Sequence, residues 1–326
     1  MQLLWKSLAL LLGAALFFGG AGLVATWAPD RSVAELAPRW APPPSRFLEV
    51  QGLVVHLRDE GPRHDGAPGR PPAEWPLVLL HGTSASLHTW DGWAATLSGT
   101  RRVIRLDLPG FGLTGPHPQG DYSIDAYVRL VAATLDALGV QRVVLAGNSL
   151  GGQIAWTAAL ALPRRVGALV LVDASGYPMA RGPDDDSVPL GFRLAALPAL
   201  APLLQHTLPR GLVQASVRNV YGDPARVTPA LVDRYYELTL RAGNRAALGQ
   251  RLRQGYTGPV QRLREITVPT LVLWGGRDRL IPPAFGQRFA ADIPGSRLVV
   301  FPELGHVPHE EDPAATVAAV QAFLPR

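Results

Sequence analysis

The hexapeptide Gly147-Asn148-Ser149-Leu150-Gly151-Gly152 sets a serine between glycines two residues before it and two after. The stretch ahead of it, Arg142-Val143-Val144-Leu145-Ala146, has the apolar character of a buried strand, and Gln153 to Leu160 reads as a buried helix. A serine at the tip of such a strand-turn-helix unit adopts a strained backbone, so its flanking positions must be small; Gly147 and Gly151 meet that demand. The turn lifts the Ser149 hydroxyl clear of the strand and sets it beside the N-terminus of the next helix. There the Leu150 N–H and the helix dipole favour a developing oxyanion.

A serine hydroxyl is a poor nucleophile without an imidazole to take its proton and a carboxylate to hold that imidazole. Histidines and aspartates that follow strand-like runs are therefore the next residues of interest. His81 follows Leu77 to Leu80, Asp107 follows Arg102 to Leu106, and Asp173 follows Ala168 to Val172. Asp278 follows Thr270 to Trp274, and His306 follows Arg297 to Phe301. His56, His64, His88, His117 and His206 have no motif around them and read as solvated or structural. His309 stands beside Glu310, Glu311 and Asp312, where a surface salt-bridging role is expected. His309-Glu310-Glu311 is not a zincin spacing, and no P-loop or dinucleotide fingerprint is present. Neither a metal nor a cofactor is expected. The absence of cysteine excludes disulfides and thiolate chemistry.

These residues need a scaffold, and 326 residues with 47% hydrophobic content can build a large α/β domain carrying an insertion. A net charge of +5 raises the question of nucleic acid, but the arginines are scattered and no basic run is interleaved with aromatics. Nucleic acid is not an expected partner. Phe47 to Val50 and Leu53 to Arg58, split by Gln51-Gly52, predict a hairpin. Strand-like runs then alternate with helical spacing at Tyr122 to Leu138, after the serine, at Pro283 to Ala291 and at Pro313 to Leu324. That alternation predicts a mostly parallel sheet covered on both faces. Between Tyr177 and about Glu265 it breaks: Phe192 to Leu204, Arg210 to Tyr221 and Pro229 to Gln254 predict helices and no strand. The expected organisation is a core at 45–176 and 266–326 with a helical cap at 177–265.

The first thirty residues stand apart. Lys6 precedes an uncharged, mostly apolar stretch from Ser7 to Pro29, long enough for a helix that crosses a bilayer. A cleaved signal peptide, processed near Thr26-Trp27-Ala28, is the alternative. Lys6 is expected to keep the N-terminus cytoplasmic, which places the rest on the periplasmic side, anchored or exported. Residues 31–44, rich in proline, predict an extended tether.

In this order the motifs give the chain from about Ser45 to Arg326 a resemblance to the α/β-hydrolase superfamily. His81-Gly82, Asp107-Leu108-Pro109-Gly110-Phe111-Gly112, the Ser149 elbow, Trp274-Gly275-Gly276-Arg277-Asp278 and Gly305-His306 all match it. The resemblance implies a triad of Ser149, Asp278 and His306, with Thr83 supplying a second oxyanion N–H beside Leu150, and His81 shaping its loop. Some relatives carry the acid at the position of Asp173, which stays open as an alternative. Ser149 at the elbow excludes the epoxide hydrolases and haloalkane dehalogenases, which carry an aspartate there, although Tyr235 and Tyr236 could mimic the paired cap tyrosines of the former.

The expected activity is hydrolysis of carboxylic esters through an acyl-enzyme. A carbon-carbon bond hydrolase of the meta-cleavage type is the alternative, since it shares the Gly-Asn-Ser elbow. That family also calls for a cap arginine near the serine, a part open to Arg193 or Arg218, and an aromatic after the histidine, where Val307 stands here. A non-catalytic ligand-binding protein of the same fold is a third reading, which the membrane leader argues against. A cap roof of Leu190, Phe192, Leu194, Leu197, Leu200, Leu203 and Leu204 predicts an uncharged, apolar ester substrate.

Overall fold

Gln51 and Gly52 both take positive φ, 52° and 77°, which suits a two-residue turn whose twist matches its flanking strands. They join β1 (Ser45–Val50) to β2 (Leu53–Glu60). The apolar runs form β3 (Leu77–Leu80), β4 (Val103–Leu106), β5 (Val143–Asn148), β6 (Val166–Val172), β7 (Thr270–Gly275) and β8 (Arg297–Phe301). The computed structural model describes residues 26–71, 74–179, 187–255 and 257–324. One sheet runs in the order β1-β2-β4-β3-β5-β6-β7-β8. β2 is antiparallel to β1 and β4, and the other neighbours are parallel.

The helices in chain order are α1 (Val33–Trp40), α2 (Asp91–Leu97), α3 (Ile124–Ala137), α4 (Leu150–Ala161), α5 (Leu190–Ala195), α6 (Ala201–Leu204), α7 (Arg210–Val220), α8 (Pro229–Thr239), α9 (Asn244–Arg253), α10 (Ala284–Asp292), α11 (Pro308–Glu311) and α12 (Pro313–Phe323). Strand side chains alternate between faces, and the central strands feed two cores. Val78, Leu80, Leu145, Leu169, Leu171 and Trp274 pack with α3, α4 and α10. Leu77, Leu79, Val144, Val170, Leu271 and Leu273 pack with α2 and α12 on the other side. Burying each such aliphatic side chain contributes about 1.5–3 kcal/mol, so strands apolar on both faces have no stable place but the middle.

The strand order steps outward from β3 in both directions, to β4 and to β5. Connections diverge at such a switch point and leave a crevice beyond the C-terminal ends of the strands. Pairing of Leu80 with Gly147 brings the end of β3 beside the turn that carries Ser149. Helices α5 to α9 lie between β6 and β7 in sequence, and the single helix expected over Pro229 to Gln254 is two. The break falls at Leu240–Gly243, where Gly243 sits at φ 85° and Asn244 Nδ2 donates to the carbonyls of Leu238 and Gly112.

The extended tether expected at residues 31–44 is instead a docked helix over much of its length. Ser32 caps α1 by accepting from the Glu35 N–H while Glu35 returns a bond to the Ser32 N–H, a reciprocal box at a helix start. Leu36 is buried against Leu113 and Leu238, and Trp40 Nε1 donates to Glu237 at 2.7 Å. Pro38 does not prevent this, because a helix this short has few internal bonds to lose. The segment expected to be a transmembrane anchor or signal helix lies largely outside the described residues. Its last part, Thr26 to Asp30, packs on the cap: the Ala28 N–H donates to the His206 carbonyl, and Arg245 binds the Ala28 carbonyl and Asp30. Among the described residues no helix is long and apolar enough to cross a membrane.

Candidate active site

Ser149 stands between β5 and α4 with φ 53° and ψ −114°, a conformation that costs a non-glycine residue on the order of 1–3 kcal/mol. Its neighbours show why glycine is required. A Cβ at Gly147 would be driven into the Gly151 backbone, and one at Gly151 into the Leu80 carbonyl. The turn is thus clamped between its own two limbs and β3. Leu150 is the first residue of α4, where N–H groups have no partner within the helix. Thr83 follows β3 in a loop where Ser84 is held at φ 58°.

Asp278 and His306 stand in the loops after β7 and β8, and His306 shares a cavity with Ser149. His306 Nδ1 donates to Asp278 Oδ2 at 2.7 Å, and Asp278 Oδ1 accepts the N–H groups of Leu280 and Ile281 at 2.8 and 2.9 Å. Three donors thus converge on one carboxylate. Ser149, His306 and Thr83 line one cavity of about 490 Å³. Ser149 Oγ and His306 Nε2 make no hydrogen bond to each other here, and such bonds commonly tighten only around substrate.

The imidazole is held through its main chain as well. The His306 N–H donates to the Val220 carbonyl at the end of α7, so the cap takes part in placing it. Asn148 Nδ2 donates to the His306 carbonyl at 2.9 Å and to that of Val172 at 3.2 Å. Glu311 accepts the Gly305 N–H on one oxygen and the Asp223 N–H on the other, pinning the histidine loop to the cap. Sequence reasoning missed all three supports; only Asn148, inside the elbow motif, left a local signal.

Asp173 stands beside this group. It follows β6 at φ 45°, is buried, and accepts the Gly275 N–H at 2.9 Å. It makes no bond to the imidazole. Asp173, Asp278 and His306 offer ligand-type atoms within 4.8 Å of one another, but those of Asp278 are occupied by the N–H groups named above.

His81 Nδ1 donates to the Gly82 carbonyl and Nε2 accepts the Leu108 N–H, joining the loops after β3 and β4, with burial pushing its pKa down. His309 overturns its expectation as a surface residue: it is fully buried with its ring centroid 3.9 Å from that of Trp90, and burial lowers its pKa well below the usual value. A proline at the start of α11 turns the chain inward, and Glu310 takes the ion pair, with Arg234. His206 is exposed and stacks on Trp27, while His88 and His56 are buried.

His56 belongs to a second Ser-His-Asp array, unforeseen in the sequence. Ser45 Oγ lies 3.0 Å from His56 Nε2, and His56 Nδ1 lies 2.7 Å from Asp107 Oδ2. Neither Ser45 nor His56 lines the cavity. Asp107 also accepts the N–H groups of Leu87 and Leu113, and Arg58 donates to Ser45 Oγ, so this array ties loops together. Position at the cavity separates it from Ser149.

The cavity roof differs from the expected one. Of the seven apolar residues named from sequence, Phe192 and Leu204 reach the cavity, while Leu190, Leu197 and Leu203 are exposed. Leu208, Leu212, Val213, Val217 and Leu248 line it too: α7 contributes Leu212, Val213 and Val217, and α9 contributes Leu248 and Leu252 together with polar residues. Neither Arg193 nor Arg218 lines it; Arg218 faces a separate groove with Arg279. Arg245 does, with its guanidinium engaged by Asp30 and the Ala28 carbonyl, as does Arg253. Tyr235 lines the cavity and donates to Glu310 Oε2, whereas Tyr236 is not in its wall.

A family profile described as alpha/beta hydrolase fold matches residues 76–313. The chain is 31% identical over 290 residues to the 2-hydroxy-6-oxo-2,4-heptadienoate hydrolase of Pseudomonas putida, covering 86% of this chain and 95% of that one. It is 30% identical over 286 residues to the uncharacterized hydrolase YugF of Bacillus subtilis, covering 86% and 98%. A crystal structure of a membrane phospholipase A is similar at TM-score 0.71 and 28% identity, over 99% of this chain and 98% of that one.

Proposed function

Because the chain belongs to the α/β-hydrolase family, we propose that it is a serine hydrolase that cleaves uncharged carboxylic esters through an acyl-enzyme. Ser149 attacks the ester carbonyl as His306 takes its proton through Nε2, and Asp278 holds Nδ1–H and stabilises the imidazolium. The N–H groups of Leu150 and Thr83 receive the oxyanion. His306 then protonates the leaving alcohol and activates the water that releases the acid. The chemistry asks for no cofactor.

One observation carries the choice of ester: the cavity over Ser149 is walled by Phe192, Leu208, Leu212, Val213 and Val217, with Val307 beside the histidine. Such a wall favours apolar acyl groups and makes a buried anion costly. Similarity to a membrane phospholipase A, a name that denotes acyl-ester cleavage, agrees with it. The apolar stretch before Thr26 is proposed as a membrane tether, with the catalytic domain on the periplasmic side.

A carbon-carbon hydrolase of the meta-cleavage type is the second reading, favoured by the relative from Pseudomonas putida. Val307 after the histidine counts against it, as does the placement of Arg193 and Arg218 outside the cavity, whereas Arg253 in the lining leaves a cap cation available to it. Purified enzyme offered a panel of p-nitrophenyl esters and a vinylogous 1,5-diketone separates the two. Turnover of short- and medium-chain esters, lost in Ser149→Ala, supports the ester reading; cleavage of the diketone alone overturns it.

A further inference from the structure

Asp173 sits where two buried acids meet. Its Oδ1 accepts the Gly275 N–H at 2.9 Å, while its Oδ2 is buried and receives no N–H or O–H. The groups facing it are Asp278 from the loop after β7, Glu311 from α11, and His306 from the loop after β8. The imidazole is committed to Asp278, and the largest influences on Asp173 are burial and the neighbouring acids.

As a carboxylate, Asp173 would place a bare buried oxygen against a second negative charge, and two such groups cannot both ionise at neutral pH. As an acid its Oδ2 is a donor, and the acceptor at hand is Asp278. We propose that Asp173 keeps its proton and donates it as a hydrogen bond to the Asp278 carboxylate, so that the pair carries one negative charge, held on Asp278 opposite His306. The division follows from the donors: Asp278 receives three N–H groups, Asp173 one. Burial and the neighbouring acids push the Asp173 pKa well above the usual carboxylate value, in the same sense.

Asp173 is thus a positioning residue, an anchor for the acid of the triad that rests on the triad proposed above. The open alternative, Asp173 as the acid itself, requires it to be ionised. A raised pKa means that the folded chain retains a proton which the unfolded chain releases above about pH 4. Stability from this group is therefore highest at low pH and falls as pH rises toward the folded pKa. Asp173→Asn keeps a donor toward Asp278 and abolishes that dependence.

The test is thermal unfolding of wild type and Asp173→Asn between pH 4.5 and 8, joined to ester kinetics. The Tm difference is expected to grow in favour of the variant as pH rises. The kcat/KM of Asp173→Asn at pH 7 should stay within about threefold of wild type, whereas Asp173→Leu, which cannot donate, should lose at least tenfold in kcat with little change in KM. Infrared spectra of wild type at pH 7 should show a protonated-carboxyl band that is missing from Asp173→Asn. A Tm difference flat in pH, a missing band, or loss of activity in Asp173→Asn as deep as in Asp278→Asn overturns the proposal. If neither variant folds, the infrared band of wild type decides. Unfolding and infrared spectra need no substrate, so failure of the ester reading would show separately, as intact turnover in Ser149→Ala.

Discussion

Asn148→Ala removes the side chain that holds the catalytic histidine by its main chain. Asn148 is 2% exposed, and its Nδ2 serves two carbonyls, those of Val172 and His306. The Val172 carbonyl also accepts the Ser149 N–H at 3.0 Å and stays satisfied, so the His306 carbonyl alone is orphaned. Leaving one buried acceptor unpaired costs about 1–3 kcal/mol. For a domain of this size that lowers Tm by roughly 2–4 °C per kcal/mol. Because the strained group is the backbone of His306 itself, the same penalty falls on placing the imidazole, and kcat/KM should drop roughly 5- to 150-fold. Ser149 is untouched, so a fluorophosphonate should still label the variant, more slowly. Parallel measurement of Tm, ester kinetics and labelling rate checks this. A variant with lowered Tm whose kcat/KM stays within twofold of wild type would refute the idea that this clamp positions the base.

Ser149→Ala and His306→Ala should each lose several orders of magnitude in turnover, and Ser149→Ala all fluorophosphonate labelling; normal labelling of Ser149→Ala would end the serine reading. His88, buried between Ser86 and the Trp40 carbonyl, has its pKa pushed down to about 4 by burial. The unfolded chain thus takes up this proton first, and up to about 3 kcal/mol of stability, complete above about pH 6.5, is lost as pH falls to 4. Acid unfolding monitored by circular dichroism should be shallower in His88→Gln, and an unchanged slope would count against the assignment. Leu36→Ala should cost about 2–4 kcal/mol of α1 docking and open residues 26–44 to proteolysis; unaltered digestion would show that α1 does not depend on that contact. The full chain should sediment with membranes and resist carbonate, and a form lacking residues 1–25 should be soluble; release of the full chain by carbonate would remove the tether.

The scaffold was legible in the sequence because its signals are local. Strands apolar on both faces, such as Leu77 to Leu80 and Val143 to Ala146, need cover on both sides, and a serine between glycines at a strand-helix turn announces its own backbone. The motifs in order carried the resemblance to the α/β-hydrolase superfamily, and that resemblance implied Asp278 and His306. What the sequence could not carry were relations between distant segments. His309 reads as polar beside three acids, but a proline-started turn drives it onto Trp90. Residues 31–44 read as a proline-rich tether, and α1 forms because Leu36 and Trp40 find Leu238, Leu113 and Glu237. The cap leucines share one composition, yet helix orientation sends Leu190, Leu197 and Leu203 to solvent and brings Leu212 and Val213 over the serine. Ser45, His56 and Asp107 have the residue types of a triad and the hydrogen bonds of one, but lie away from the cavity. Residue type and spacing determine which side chains could react, since these depend on chemistry and local backbone. Which of them meet, and which share one proton, depends on loops at the ends of β6, β7 and β8 converging across a sheet whose order only the folded chain sets.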